Sequence, residues 1–251
     1  MFEPRLAVAS LSGEADAEWG LAAADHAGAA FLGGIALDEP AREAARQLVA
    51  RDREEFLPPD PLAFINEQLA AVADADAGIR PGINVRSTTV APIREAAAIC
   101  ADYDAILEIN AHCRQDELCA VGCGESLLAD SDRLAEYVAV AAETGAAVSV
   151  KVRAEVDGVD LVAVAERIEA AGADAIHIDA MDSESIVGDV AAATDLFVIA
   201  NNEVRDAASV REYLSYGADA VSVGRPSRDP EGPVFSRVAA AVAECEPEVP
   251  P

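Results

Sequence analysis

The feature that most limits the possible folds is a repeated alternation of short apolar runs with longer segments of helical spacing. Predicted strands occupy residues 6–11, 29–37, 81–85, 105–110, 147–152, 175–179, 196–201 and 220–223. Strands that alternate with helices form parallel sheets, and eight such units in about 250 residues favour a closed (β/α)₈ TIM barrel. The sequence therefore predicts one α/β barrel domain over residues 1–245, followed by a short tail at 246–251.

Three local signals refine this prediction. Pro40 suits the first turn of the helix that follows the second strand. Ser131 is predicted to be the N-cap of the helix after the fourth strand. Gly33 and Gly34 lie inside the second strand, where paired glycines indicate a bulge or a close approach of another backbone.

Composition excludes several classes of protein. The chain has no run of 18 purely apolar residues, so we expect no membrane-spanning helix. Its first residues show no signal-peptide pattern. Five cysteines are too few and too clustered for a secreted disulfide framework, so we expect a reduced, cytoplasmic setting.

The charge balance is strongly acidic, with 46 acidic and 18 basic residues and a net charge of −28. Such a surface repels itself in dilute buffer, whereas concentrated salt shortens the Debye length to about 3 Å and screens the repulsion. We therefore predict a halophilic protein adapted to a salty cytoplasm. The charge disfavours binding to a phosphate backbone in ordinary buffer.

Polar residues stand at the ends of six predicted strands. The carboxyl-terminal ends of barrel strands meet at one mouth, where TIM-barrel active sites lie. An apolar barrel has no structural need for such a ring, so we predict a binding or catalytic site there. The residues at these strand ends are Asn84, Asn110, Lys151, Asp179, Asn201 and the pair Gly224-Arg225.

The end of the eighth strand predicts a phosphate site. TIM barrels commonly bind phosphate after strands seven and eight. Gly224 permits close approach of the backbone, and Arg225 offers a forked guanidinium for phosphate oxygens. Asn201 and Asn202, after the seventh strand, add further donors.

The loop after the fourth strand is rich in reactive groups. It holds His112, Cys113, Cys119 and Cys123, which are candidate ligands for zinc or an iron–sulfur cluster. Their Cys-x5-Cys-x3-Cys spacing matches no strong metal-binding template, so a catalytic thiol is the favoured interpretation.

Lys151 is the only lysine in the chain, because the other 17 basic residues are arginines. A lysine at a barrel strand end is readily tuned by burial, and we predict a functional role for it. One alternative is a Schiff-base nucleophile, as in a barrel aldolase with phosphate held by Arg225. Another is a barrel without catalysis that binds a nucleotide.

Taken together, these motifs resemble the FMN-dependent tRNA-dihydrouridine synthases, and more closely a related archaeal branch of TIM-barrel proteins. The resemblance runs from about residue 82 to residue 235 and is carried by residues 110–113, 124, 127–128, 151–153, 199–203 and 217–225. It implies an FMN-dependent oxidoreductase that reduces a pyrimidine-type C=C bond, with NAD(P)H as reductant.

The resemblance also implies roles for individual residues. Lys151 would contact the N1/O2 edge of the flavin, and Asn84 stands where the family has a flavin-contacting Gln. Asn110 would touch the substrate base, and Cys113 would protonate C5 while hydride passes from flavin N5 to C6. The implied holders of the ribityl phosphate are Asn201, Asn202, Gly224 and Arg225.

Some positions depart from the family pattern. The family's Gly-Cys-Pro is His112-Cys113-Arg114, so His112 is expected to act as a base or to lower the thiol pKa. Asp179 stands where the family has a flavin-contacting His, with His177 two residues earlier. The family's helical tRNA-binding domain does not follow the barrel in this sequence. We therefore expect either an RNA uridine, with tRNA as one source, or a small-molecule pyrimidine as substrate.

Overall fold

A computed structural model describes residues 1–230 and 232–245, and the predicted tail at 246–251 lies outside the described residues. Eight parallel strands close into a barrel, each paired with the next and the last paired with the first, which confirms the predicted fold. The strands are β1 (Leu6–Val8), β2 (Ala29–Ala36), β3 (Arg80–Arg86), β4 (Ile106–Ala111), β5 (Ala147–Arg153), β6 (Ala175–Asp179), β7 (Phe197–Asn201) and β8 (Ala220–Val223). The helices are α1 (Ala17–Ala22), α2 (Glu39–Val49), α3 (Pro61–Ala75), α4 (Val90–Asp102), α5 (Asp116–Ala120), α6 (Glu125–Ala129), α7 (Ser131–Ala142), α8 (Leu161–Ala170), α9 (Ile186–Ala193), α10 (Ala207–Ser215) and α11 (Pro233–Cys245).

Aspartate side chains begin several of the outer helices. The carboxylate of Asp38 accepts the Ala41 N–H at the start of α2, where Pro40 occupies the first turn as predicted. The N-cap prediction for Ser131 is wrong. The N-cap of α7 is Asp130, one residue before Ser131, and its carboxylate accepts the Arg133 N–H.

The glycine pair in β2 forms the predicted bulge. The register of β2 against β3 shifts between Gly33 and Ile35. Gly33 and Gly34 have φ angles of +93° and +90°, a region that side chains disfavour. β2 stays paired with β3 on both sides of the bulge, and the bulge brings Gly34 against the side chains of Ser12 and Arg86.

The barrel interior is layered. Its amino-terminal half is apolar and is filled by buried side chains that include Phe31, Ile106 and Ile199. Above them lies a layer of fully buried polar residues, among them Glu108 and His177. A much larger apolar layer joins the strands to the surrounding helices. The polar layer therefore forms the floor of the carboxyl-terminal mouth.

Some predicted boundaries differ from the structure. β1 ends at Val8, because residues 9–12 leave the sheet and line the mouth. The loop after β4 contains α5 and α6, which the sequence did not indicate. A 3-10 turn, Arg225–Arg228, follows β8 directly. Among the described residues, no helix has the length and hydropathy that a membrane span requires.

Candidate active site

Two connected cavities occupy the carboxyl-terminal mouth. One, of about 900 Å³, lies over the ends of β5 to β8 and is called here the β7–β8 cavity. The other, of about 630 Å³, reaches Asn110 and Cys113 and is called here the Cys113 cavity. Both volumes fall in the range of small-molecule sites, about 300–1,000 Å³. Both cavities are lined by Ser10, Leu11, His112, Lys151 and Arg225.

Lys151 lies where the two cavities meet. Its side chain extends from β5 and is only 4% exposed. Within the described part of the chain, its ammonium group forms neither a hydrogen bond nor an ion pair. A buried ammonium without a partner is costly unless a ligand supplies one. This geometry fits a bound group that presents an oxygen or a negative charge to Lys151.

The far end of the β7–β8 cavity fits a phosphate. A Cβ at Gly224 would meet no atom within 4 Å, so the backbone faces open space there. Arg225 is exposed at the cavity rim and has no ion-pair partner among the described residues. The guanidinium of Arg225 is therefore available to bind phosphate oxygens at this turn.

The residues after β6 and β7 are linked to one another. Asn202 Nδ2 donates to Asp179 Oδ1 at 2.9 Å, and the other carboxylate oxygen of Asp179 lies 2.6 Å from His112 Nε2. Asn201 Nδ2 donates to both oxygens of Ser222, at 2.7 Å to Oγ and 3.1 Å to the carbonyl. Asn201 and Asn202 therefore line the cavity with amides whose NH₂ groups already have protein partners.

The His112–Asp179 pair favours a charged imidazole. Burial lowers the pKa of His112, but the interactions with Asp179 and Cys113 raise it more, and the net pKa lies above the usual value. Burial raises the pKa of Asp179, but the hydrogen bond with His112 lowers it below the usual value. Asp179 thus occupies the strand end predicted for a flavin contact and holds the imidazole beside Cys113.

Cys113 differs from the other buried thiols. Burial raises the pKa of Cys113, but the charge of Arg86 and the neighbouring His112 lower it more, to about 7. Burial alone raises the pKa of Cys100 to about 12, and burial together with Asp38 raises that of Cys123 to about 12. Cys113 is also partly exposed and lines a cavity. It is therefore the reactive thiol of the loop.

Asn110 holds the backbone of this loop. Its Oδ1 accepts the N–H groups of His112 at 3.2 Å and Cys113 at 3.1 Å. Its Nδ2 donates to Asn84 Oδ1 at 2.9 Å, which leaves one amide hydrogen for a ligand. Asn84 itself is fully buried and lines neither cavity, so it supports the mouth from below.

The polar floor is one directed chain of hydrogen bonds. Asn84 Nδ2 donates to Glu108 Oε1 at 2.7 Å, and His177 Nδ1 lies 2.7 Å from Glu108 Oε2. His177 Nε2 lies 2.7 Å from Ser222 Oγ, the atom that accepts from Asn201. The chain therefore links the ends of β3, β4, β6, β7 and β8 through a single carboxylate.

Charge states in this floor follow from the surroundings. Burial raises the pKa of Glu108, but His177 and the charge of Lys151 lower it below its usual value. Burial and Lys151 lower the pKa of His177, so the imidazole is neutral at neutral pH. A neutral His177 that donates Nδ1–H to the Glu108 carboxylate satisfies both groups, and the charge of Lys151 further stabilises that carboxylate.

Basic residues are concentrated at the mouth. The described residues that line the two cavities include eight basic ones, Arg53, Arg86, Arg114, Lys151, Arg153, Arg205, Arg225 and Arg228, and six acidic ones, Glu14, Asp52, Glu54, Asp179, Asp182 and Glu203. The whole chain has 18 basic and 46 acidic residues, so the mouth has the opposite balance. Four of the eight basic residues have ion-pair partners, and the other four, Arg53, Arg114, Lys151 and Arg225, have none among the described residues and are available to anionic ligands.

The structure brings most of the predicted residues together. Nine of the ten candidates lie at the mouth, namely Asn110, His112, Cys113, Lys151, Asp179, Asn201, Asn202, Gly224 and Arg225. Sequence reasoning missed Glu55, Arg86 and Glu108. Glu108 could have been recognised as a charged residue inside the apolar run 105–110. Glu55 could not, because it lies in a loop whose course no local sequence pattern predicts.

The metal alternative has no geometric support in the described residues, because none of their His, Cys, Asp and Glu side chains form a group of three that could hold a metal ion. Cys119 Sγ donates to the carbonyl of Cys113, and Cys123 is buried in an apolar cluster. A third cavity of about 650 Å³ lies at the amino-terminal end of the barrel. There the carboxylates of Asp174 and Asp219 accept the N–H groups of Val148 and Val198, which is a structural use.

The fold and the mouth define a TIM barrel whose cavities combine unpaired cations with a thiol of lowered pKa. The family model described as Dihydrouridine synthase (Dus) matches residues 83–250. The chain therefore belongs to the dihydrouridine synthase family, and it is an FMN-dependent oxidoreductase of that type, as the sequence predicts.

Two individual proteins also match the chain in sequence. The chain is 30% identical over 195 residues to a probable tRNA-dihydrouridine synthase of Rhodobacter capsulatus, covering 72% of this chain and 60% of that protein. It is 26% identical over 210 residues to an uncharacterized protein of Methanocaldococcus jannaschii, covering 77% and 78%. The chain thus spans about three fifths of the Rhodobacter relative.

Solved structures show the same fold. The structure of DHODH in complex with ferulenol from Eimeria tenella has a TM-score of 0.70 and 15% identity, covering 96% of this chain and 80% of that chain. The structure of FabK from Thermotoga maritima has a TM-score of 0.58 and 14% identity, covering 90% and 59%. At these identities the likeness concerns the barrel alone.

Proposed function

We propose that this chain reduces the C5–C6 double bond of a uracil ring, with NAD(P)H as the source of electrons and Cys113 as the proton donor. The observation that carries the proposal is the position of Lys151. This buried ammonium, without a protein partner, separates a cavity suited to phosphate from a cavity that ends at a reactive thiol. A planar ring above Lys151 would face both.

The residues of the β7–β8 cavity fit FMN. Lys151 would bind the N1/O2 edge of the isoalloxazine ring and stabilise negative charge there. Gly224 and Arg225 would hold the phosphate, with Asn201 and Asn202 beside it. When bound, the flavin supplies the hydride that is added to C6.

The residues of the Cys113 cavity fit the other half of the reduction. A thiol with a pKa of about 7 is largely protonated at slightly acidic pH and releases its proton readily. Cys113 would give that proton to C5 of the uracil ring. His112, charged beside Asp179, would then return a proton from solvent to the sulfur.

The substrate is a uracil ring that carries phosphate. The net positive mouth in an acidic chain supports an anionic substrate, and the name of the Rhodobacter relative supports tRNA as its source. A nucleotide and a nucleic acid share this chemistry, and the experiment separates them.

The test supplies NAD(P)H and, in separate reactions at high salt, a tRNA transcript, uridine monophosphate or uracil, and then measures the dihydro product by mass spectrometry. We expect reduction of the transcript in preference to the two small molecules. Reduction of uridine monophosphate alone would make the substrate a nucleotide. Flavin reduction without a dihydro product in any of the reactions would contradict the proposal.

A further inference from the structure

The inference concerns a buried ion pair below the Cys113 cavity that no sequence motif indicated. Arg86 ends β3, and its Nη1 lies 2.6 Å from Glu55 Oε2. The side chains are 2% and 1% exposed, respectively. Replacing a whole buried ion pair by apolar residues is often neutral or stabilising, so the stability of the fold does not by itself explain this pair.

The fold builds a specific place for the Arg86 guanidinium. Its Nη2 donates to Ser12 Oγ at 2.5 Å. A Cβ at Gly34 would lie 3.0 Å from the same Nη2 and 2.7 Å from Ser12 Oγ, so the glycine bulge in β2 leaves room for this contact. The bulge, the serine and the ion pair therefore fix one position for the cation.

One donor of this cation remains without a partner. Arg86 Nε is buried and makes no hydrogen bond among the described residues. Arg86 lines the same cavity as Cys113, and its charge lowers the pKa of that thiol. Glu55 has the opposite effect on the thiol, because a negative charge raises the pKa of Cys113.

We propose that Arg86 is a positioning residue that acts through Cys113: its buried charge stabilises the thiolate that remains after proton transfer, and Glu55 sets the strength of that effect. The inference rests on the role proposed for Cys113. The S–H bond of Cys113 breaks, its proton goes to C5 of the substrate, and the electron pair stays on sulfur. Arg86 offsets that negative charge without entering the reaction.

Other charged groups surround the thiol and require control. His112, paired with Asp179, lies on the loop of Cys113 itself. The remaining charged groups around the cavity are the Glu14–Arg228 pair, the segment Asp52, Arg53 and Glu54, and the cations Lys151 and Arg225. These side chains are unchanged in the variants below, so they act equally on the thiol in every protein compared.

The test measures the ionisation of Cys113 directly. The protein as purified is alkylated with iodoacetamide across a range of pH, and the modified Cys113 peptide is quantified by mass spectrometry. We expect a midpoint near the value of about 7. Arg86→Met should raise this midpoint by about one unit or more, towards that of an unperturbed thiol at about 8.5, and Glu55→Gln should lower it.

Opposite shifts in these two variants are the distinguishing result, because general damage to the loop would move both midpoints in the same direction. The matched control is Arg94→Met. Arg94 lies on α4, away from both cavities, and forms an exposed ion pair with Glu143, so its replacement should leave the midpoint unchanged. If Arg86→Met does not fold, the double variant Glu55→Gln/Arg86→Met leaves no unpaired buried charge and should still raise the midpoint above that of Glu55→Gln.

An unchanged midpoint in Arg86→Met, or shifts of one sign in both single variants, would overturn the inference. The alkylation measurement needs no catalytic turnover. Its result can therefore be told apart from a failure of the proposed reduction, which is measured as the dihydro product. A protein that binds no flavin, yet shows the two opposite shifts, would contradict the proposed function and would still show that Arg86 and Glu55 control the ionisation of Cys113.

Discussion

Among the single residues, Cys113 shows how charge and position select one thiol from several. Of the other four cysteines, two are buried in apolar surroundings and two lie on the helices α5 and α11, whereas Cys113 lies at a cavity between two cationic groups. Arg86 comes from β3, whereas His112 precedes the cysteine in the same loop. A thiol acid is effective when its pKa lies near the working pH.

The first prediction concerns this thiol. Cys113→Ala should keep its flavin and its reduction by NAD(P)H but lose about 10²–10⁴-fold in the rate of substrate reduction, the usual worth of a general acid. In the unchanged protein that rate should fall as pH rises through about 7, because the thiol loses the proton that it must donate. Stopped-flow measurement of the two half-reactions separates these effects.

Cys245→Ala is the matched control, since this cysteine lies on α11 and outside both cavities. It should behave as the unchanged protein in both half-reactions. Full activity in Cys113→Ala would remove this thiol as the acid.

Residue roles in the mouth were only partly predictable. The strand-end positions of Lys151 and Asn201 follow from the βα alternation, since strand ends converge in any barrel. The pairing of His112 with Asp179 joins residues 67 positions apart, and it depends on how far the loop after β4 turns over the mouth. No local sequence pattern predicts a contact between residues so far apart in the chain.

Among the secondary-structure elements, β2 with its glycine bulge links the fold to the site. The bulge was predictable because two adjacent glycines interrupt an apolar strand. Its consequence was not, because the space that Gly34 leaves is filled by Ser12 and Arg86 from other elements. The short helices α5 and α6 also escaped prediction, because five-residue helices carry too little periodicity to be recognised.

The second prediction tests the bulge. Gly34→Ala combines a φ of +90° with a Cβ that would contact Ser12 and Arg86 too closely, so it should destabilise the protein by roughly 2–4 kcal/mol. Gly145→Ala has a similar φ of +85° but open space around the new Cβ, so it should cost only about 1 kcal/mol. Urea unfolding of the two variants measures the difference, and equal losses would show that crowding at Gly34 is unimportant.

At the scale of the whole molecule, the net charge of −28 and the positive mouth act in opposite ways. The acidic surface repels itself, and salt at molar concentration screens that repulsion. The contacts inside the mouth are short and buried, so salt weakens them less. The composition predicted the first property, whereas the clustering of eight basic residues at the mouth became visible only in three dimensions.

The third prediction concerns acid stability in concentrated KCl, where surface repulsion is screened. The pKa values of Glu108, Asp179 and Asp38 are all lowered in the folded state. A lowered carboxylate pKa contributes stability that is present above the unfolded value and is lost as pH falls through the folded value. Stability should therefore decrease as pH falls below about 4.5, the ordinary value for a Glu.

The control for this prediction is Glu108→Gln, which removes the single carboxylate of the buried floor and leaves Asp179 and Asp38 in place. It should be less stable at neutral pH and should lose less stability on acidification. The free energy of unfolding in urea, measured at several pH values, gives both slopes. Identical slopes in the two proteins would mean that Glu108 is not ionised in the folded state.

The central claim is that Lys151, Gly224 and Arg225 hold one flavin over the mouth of the barrel. The most direct measurement is the visible absorbance spectrum of the protein purified in high salt, followed by the mass of the cofactor released with acid. We expect an oxidised flavin spectrum, FMN as the released cofactor at one per chain, and weaker flavin binding in Lys151→Ala. A colourless protein that takes up no added FMN, or a Lys151→Ala variant that binds FMN as tightly as the unchanged protein, would contradict it.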